Sequence, residues 1–206
     1  MSELISGTVT AGCEILLVED GVFDIYGRIL SDRLHELGCK TEFLATSAII
    51  RRDGWVAARI WGLQHCLKAG PAVARLNREI LSAADRHRPK WVLLWRDDLV
   101  YSSTILRLKK RGIMVAVYNN DNPVNGRWPR YAWRRSISNL PLYDHVFSYR
   151  PGTIDEFYRL GARQVSLLGP WYDRSVHRRL DDPVPERFRS QVAFIGHWRT
   201  TVVTLR

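Results

Sequence analysis

The chain has 206 residues, 46% of them hydrophobic and 25% charged, a balance that supports a globular core and excludes a disordered chain. Its formal charge of +10 is spread over arginines from Arg28 to Arg206 without forming one block, so it admits a polyanion, an anionic membrane or a phosphorylated substrate and selects none of them. No apolar run approaches the roughly 18–20 residues that span a bilayer, and the start of the chain carries Glu3 and no basic region, so neither a transmembrane segment nor a secretory leader is expected.

In chain order, Glu14–Glu19 is a short apolar run with Asp20-Gly21 behind it, the mark of a buried parallel strand. Val22, Ile25, Tyr26, Ile29, Leu30, Leu34 and Leu37 then recur at helical spacing up to Gly38, and 41–45 alternates as a second strand. A strand, a helix and a strand within about 30 residues form a right-handed crossover unit. Residues 46–70 carry Trp55, Ile60, Trp61 and Leu63 at partly helical spacing and read as a helical insertion. Val73, Leu76, Ile80 and Ala84 form one helical stripe that stops before Pro89, and Trp91–Trp95 is a strand. Ser102-Ser103 are positioned to cap a helix closed by Gly112, and 113–118 is the next strand. A long polar and aromatic connection covers 119–141, 145–149 is a strand, 153–160 a helix, and 164–168 a last strand.

Alternating strands and helices predict an α/β domain with a Rossmann-like open parallel sheet over 1–171. A polar, proline-punctuated stretch over 172–190 reads as a linker. Gln191-Val192-Ala193-Phe194-Ile195-Gly196-His197 then reads as the first strand of a second lobe, truncated at residue 206. Cys13, Cys39 and Cys66 are widely spaced with no CxxC pair; they read as reduced thiols of a cytoplasmic protein, with no metal site and no cofactor expected.

In such a sheet, ligands bind beyond the carboxyl ends of the strands, so the residues after each strand are the candidates. The first exit, Glu19-Asp20-Gly21 with Asp24, is a tight turn in which Gly21 would let a sugar or phosphate approach the backbone, although no dinucleotide fingerprint is present. At the second exit, Arg96 stands beside Asp97 and Asp98, either as a local ion pair or as a contact to a polar ligand. The third is the densest: Tyr118-Asn119-Asn120-Asp121-Asn122-Pro123 offers donors and acceptors to sugar hydroxyls, and Asp121 has the chemistry of a general base. Arg127, Trp128, Arg130, Tyr131, Trp133, Arg134 and Arg135 then interleave cations with rings, as nucleic-acid and phosphate binders do, and as an amphipathic helix with solvated arginines also does. The fourth exit places His197 beside Gly196, where it would face a cleft between lobes.

Four landmarks in this order resemble the CgeB-like, spore-maturation-type glycosyltransferases of GT-B architecture. They are Trp91-Val92-Leu93-Leu94-Trp95 with the helix ending Leu108-Lys109-Lys110-Arg111-Gly112-Ile113, and the run from Tyr118 to Pro123. The third is Leu142-Tyr143-Asp144-His145-Val146-Phe147, continuing to Glu156-Phe157-Tyr158-Arg159-Leu160-Gly161-Ala162, and the last is Val192-Ala193-Phe194-Ile195-Gly196-His197. The resemblance implies an acceptor-side lobe of an enzyme that moves a sugar from a nucleotide-sugar donor to a glycan or small-molecule acceptor, without a bound metal and inactive without its donor lobe. Asp121 and His197 would be catalytic, and Gly21, Asp24, Arg96, Asn119, Asn120 and Asn122 would hold substrate. Peripheral contact with a membrane is compatible with this reading, and nucleic acid is disfavoured. The rival is a non-catalytic Rossmann-like module that binds a phosphorylated polymer or nucleic acid through the basic aromatic segment.

Overall fold

The computed structural model describes residues 14–19, 26–50, 54–123 and 130–172, together with Arg178, Pro185, Glu186 and Arg189. The chain divides into two compact units, Met1–Tyr172 and Asp173–Arg206. In the second unit, Arg189 lies 3.4 Å from Glu186 in an i,i+3 ion pair. The expected strand at 191–197, His197 with it, lies outside the described residues, as do Gly21 and Asp24.

The first unit is built on six parallel strands: β1 (Glu14–Glu19), β2 (Lys40–Ala45), β3 (Trp91–Trp95), β4 (Met114–Asn119), β5 (His145–Ser148) and β6 (Val165–Leu167). Their order in the sheet is β2-β1-β3-β4-β5-β6. The fold is therefore α/β, a Rossmann-like open sheet whose winding reverses once, between β1 and β3. The central strands β1, β3 and β4 carry the apolar runs expected of strands covered on both faces, while β2 at the sheet edge alternates. Register is continuous across the centre, with Leu17 opposite Phe43 on one side and Leu93 on the other.

Among the described residues seven α-helices connect the strands: α1 (Gly27–Glu36), α2 (Thr46–Ile49), α3 (Trp55–Leu67), α4 (Pro71–His87), α5 (Ser102–Lys110), α6 (Arg130–Asn139) and α7 (Ile154–Arg159). The stripe read from sequence on α4 is the buried one: Val73, Leu76, Ile80 and Ala84 all face the core. Pro71 opens the helix where a missing N–H costs nothing, and Arg88 closes it in the left-handed conformation before Pro89. On this face of the sheet Leu16, Val18, Val92, Leu94, Val115, Val117 and Val146 join residues of α4, α5 and α7 in one core. The opposite face carries α1. Its Gly27 lies so close to the sheet that a Cβ would fall 2.4 Å from Glu19 Oε2 and 2.7 Å from Phe43 Cε2. Trp91, Leu93 and Phe147 of that face are only half-buried.

The start of α5 differs from the expected serine cap. Tyr101 is the N-cap residue and supplies no side-chain bond. Ser102 Oγ instead donates to Asn139 Oδ1 at 2.7 Å. The helix start is satisfied from α4: Asn77 Oδ1 accepts from the Tyr101 N–H and from Thr104 Oγ1, both at 2.8 Å. A cap borrowed from another helix has no local sequence signature.

Two of the landmark segments touch. Lys109 Nζ donates to Asp144 Oδ1 at 2.5 Å and to the Leu142 carbonyl at 3.0 Å, while Asp144 Oδ2 accepts from the Val115 N–H at 2.8 Å. The pair fastens α5 to the entry of β5 beside β4.

Candidate ligand cleft at the strand ends

Because every strand is parallel, all six carboxyl ends emerge on one edge of the sheet. Two cavities open there. The first, about 120 Å³, sits where the winding reverses and is lined by Val18, Thr46, Ile50, Trp61, His65, Arg96 and Asp98 among others. The second, about 240 Å³, is lined by Tyr26, Trp95, Tyr118, Asn120, Tyr149, Arg150, Pro170 and Trp171.

The second cavity is built from rings. Trp95 at the end of β3 lies 4.5 Å, centroid to centroid, from Tyr118 near the end of β4, and 5.1 Å from Tyr26 ahead of α1. Trp171, after β6, meets Trp95 edge-on at 5.2 Å and Tyr118 at 5.3 Å. Its indole N–H donates to the Tyr26 carbonyl at 3.3 Å, which closes the cluster across 145 residues. Burial pushes the Tyr118 hydroxyl up to about 12, with Tyr149 and Tyr26 adding to the shift. Asn120 contributes the polar feature: its amide oxygen is buried and makes no hydrogen bond. A buried acceptor without a partner costs about 1–3 kcal/mol, which a ligand hydroxyl would recover.

The neighbouring residues are engaged. Asn119 is buried, and its Oδ1 accepts from the Asp121 N–H at 3.0 Å, an Asx turn that sets the exit of β4. The Asn119 carbonyl takes the Tyr149 N–H at 3.1 Å, tying the β4 exit to the β5 exit. Asp121 is 39% exposed, and its Oδ2 lies 3.7 Å from Arg96 Nε. Arg96 has a left-handed backbone (φ 58°), uncommon outside glycine, and its guanidinium stands 5.4 Å above the Trp133 ring. The structure thus brings Arg96 and Asp121 together and lines the aromatic cleft with Asn120. Asn122 is half-buried after the same turn.

The two acids beside Arg96 belong elsewhere. Asp97 is buried and accepts from the Tyr143 hydroxyl; burial pushes its carboxyl above the usual range, opposed by that hydrogen bond. Asp98 accepts from Lys68 Nζ at 2.6 Å and faces His65 Nε2 at 3.3 Å. Burial alone would raise its carboxyl, but the His65 hydrogen bond and the Lys68 ammonium together hold it well below the usual carboxylate range. The local ion pair suggested by Arg96-Asp97-Asp98 is replaced by partners 30 and 46 residues away.

The basic aromatic segment is also used in packing where it is described. Trp133 is buried; Arg134 Nη2 donates to the Leu67 carbonyl at 2.8 Å and Arg135 Nη2 to the Lys68 carbonyl at 2.7 Å. The Arg135 guanidinium stacks 4.7 Å from the Tyr101 ring. These arginines close the last turn of α3, where orphan carbonyls favour cations. Arg127 and Trp128 lie outside the described residues.

No protein-family model matches the chain, and no curated protein is significantly similar to it. Among the described residues no cluster of three or more His, Cys, Asp or Glu could hold a metal ion, and no helix is long and apolar enough to cross a membrane. Sequence reading missed Tyr26, Trp95, Tyr149, Arg150 and Trp171 as parts of one site. The available signal was an aromatic residue at or just beyond four different strand ends or helix starts, which carries meaning only once the strand order is known.

Proposed function

We propose that this domain is the acceptor-side lobe of a GT-B glycosyltransferase, and that the ring-lined cleft at the ends of β3 to β6 receives a sugar or another polar ring-bearing acceptor. The observation that carries the reading is the buried, unpartnered Asn120 amide oxygen set among Trp95, Tyr118 and Trp171. Aromatic faces offer apolar area to the C–H surface of a pyranose, and a fixed acceptor atom selects the orientation of a hydroxyl. The resemblance of the landmark segments to CgeB-like enzymes supports the same assignment.

Asp121, next in the chain to Asn120, is the residue that would take the proton from an acceptor hydroxyl. Its Oδ2 lies 3.7 Å from Arg96 Nε, longer than a direct hydrogen bond, so the carboxylate keeps lone pairs with which to accept from a hydroxyl. The nucleotide-sugar donor and the role assigned to His197 belong to the part of the reading that rests on resemblance alone.

Replacing Asn120 by alanine is expected to weaken acceptor binding about 5- to 10-fold, the effect of one hydrogen bond to a buried site, without lowering the melting temperature, because the orphaned oxygen is removed. Titration calorimetry against a panel of mono- and oligosaccharides measures it. Sugars that bind wild type and variant equally would remove the cleft from consideration. In a glycosyl-transfer assay of a form that includes the donor lobe, Asp121→Ala is expected to lower kcat by about 10²–10⁴-fold with acceptor affinity preserved. Turnover at the wild-type rate would refute the base assignment.

A further inference from the structure

Helix α3 is the longest described helix that buries none of its residues. Val56, Ile60, Leu63 and Leu67 recur at 4-3-4 spacing along one side, and each is half or more exposed; Trp55 beside them is 73% exposed. The orientation is fixed from behind. Trp61 packs on the domain core, His65 faces Asp98, and Gln64 Oε1 accepts the Ala72 N–H at 2.8 Å. The apolar stripe is therefore held outward by contacts on the opposite side of the same helix. An ordinary surface helix shows the reverse arrangement, with its apolar stripe turned inward.

The charges in this part of the chain are mainly cationic. Residues 46–78 hold six lysines and arginines against a single acid, Asp53. Arg59 and Arg75 are exposed, and the exposed Arg134 holds its guanidinium at the Leu67 carbonyl, against the C-terminal end of the stripe. Helix α3 itself contains no acidic residue. A second copy of the chain is a poor occupant. A seam on a 13-residue helix falls well short of the roughly 800 Å² per partner that stable dimers bury, and it would press two cationic surfaces together. The helix is about 20 Å long, too short for a hydrocarbon core of about 30 Å, so a bilayer would meet it only along its side.

We propose that α3 is a membrane-docking helix: its Val56–Ile60–Leu63–Leu67 stripe and Trp55 enter the headgroup boundary of a bilayer rich in anionic phospholipid, while Arg59, Arg75 and Arg134 meet the lipid phosphates. Apolar insertion and attraction to anionic lipid add in such helices, and Trp at one end suits the interface. This goes beyond the acceptor cleft and does not rest on it.

The test is flotation of the full chain with vesicles of phosphatidylcholine alone and of phosphatidylcholine mixed with phosphatidylglycerol. The protein is expected to float with the mixed vesicles, less so with the neutral ones, and to be released by high salt. The double variant Ile60→Glu, Leu63→Glu is expected to lose at least about tenfold in partitioning while keeping its circular dichroism spectrum and melting temperature, because both residues are solvent-exposed. Three results would overturn the proposal. They are the absence of flotation with anionic vesicles, binding that survives the double substitution, and a wild-type dimer that the substitution dissociates without changing vesicle binding.

Discussion

Lys68→Met is expected to cost about 3–5 kcal/mol of folding stability, the effect of stranding one member of a buried ion pair. The ammonium is 3% exposed and the Asp98 carboxylate 11%, with 2.6 Å between them. Methionine fills similar volume, so the loss comes from the charge left behind and not from a cavity. The linkage has a definite sign. The Asp98 carboxyl lies below its ordinary value of 3.8 in the folded chain, so the unfolded chain takes up the proton first. The stabilisation from this pair is fully present above pH 3.8 and is lost as the pH falls below it toward the depressed folded value. Urea denaturation at pH 7 and at pH 3 measures it, and the gap between wild type and Lys68→Met is expected to narrow sharply at the lower pH. An equal gap at both would show that the ion pair is not the origin of the effect. The site also depends on this pair, because Lys68 and Asp98 join the end of α3 to the turn after β3 that carries Arg96.

Asn77→Leu is expected to destabilise the domain by about 2–4 kcal/mol despite its similar branched shape and greater hydrophobicity. Besides the two bonds its oxygen takes from Tyr101 and Thr104, its Nδ2 donates to the Val73 carbonyl at 2.8 Å and the Leu99 carbonyl at 2.9 Å. Leucine would leave the Tyr101 N–H, the Thr104 hydroxyl and the Leu99 carbonyl without these partners, each at a cost of about 1–3 kcal/mol less whatever water recovers. A double-mutant cycle with Thr104→Val is expected to give a coupling of about 0.5–3 kcal/mol in chemical denaturation. Additive losses would show that Asn77 acts through packing alone.

The contrast between these residues and the strands shows what the chain discloses locally. Trp91–Trp95 and Glu14–Glu19 were readable because each centres on an unbroken apolar run in the middle of the sheet, where both faces are covered. The buried stripe of α4 was equally plain, being a periodic property of one segment. The cap of α5 was misread, since Ser102 bonds to Asn139 and the capping amide comes from Asn77 of α4. The same limit applies to Arg96-Asp97-Asp98, whose chain proximity implied mutual pairing. In the folded chain each side chain turns to a different element: Asp121, Tyr143 and Lys68 respectively.

From its own residue order the chain determines an alternating α/β domain with parallel strands, the position of each strand exit, and the polar turn from Asn119 to Asn122. Burial and periodicity are properties of single segments, and they survive without knowledge of neighbours. The tertiary structure decides which exits become neighbours: it sets the order β2-β1-β3-β4-β5-β6 and gathers Tyr26, Trp95, Tyr118 and Trp171 into one cleft. It also turns the apolar side of α3 toward solvent. Those outcomes depend on contacts between residues up to 145 positions apart, whose energies arise only when separate elements dock.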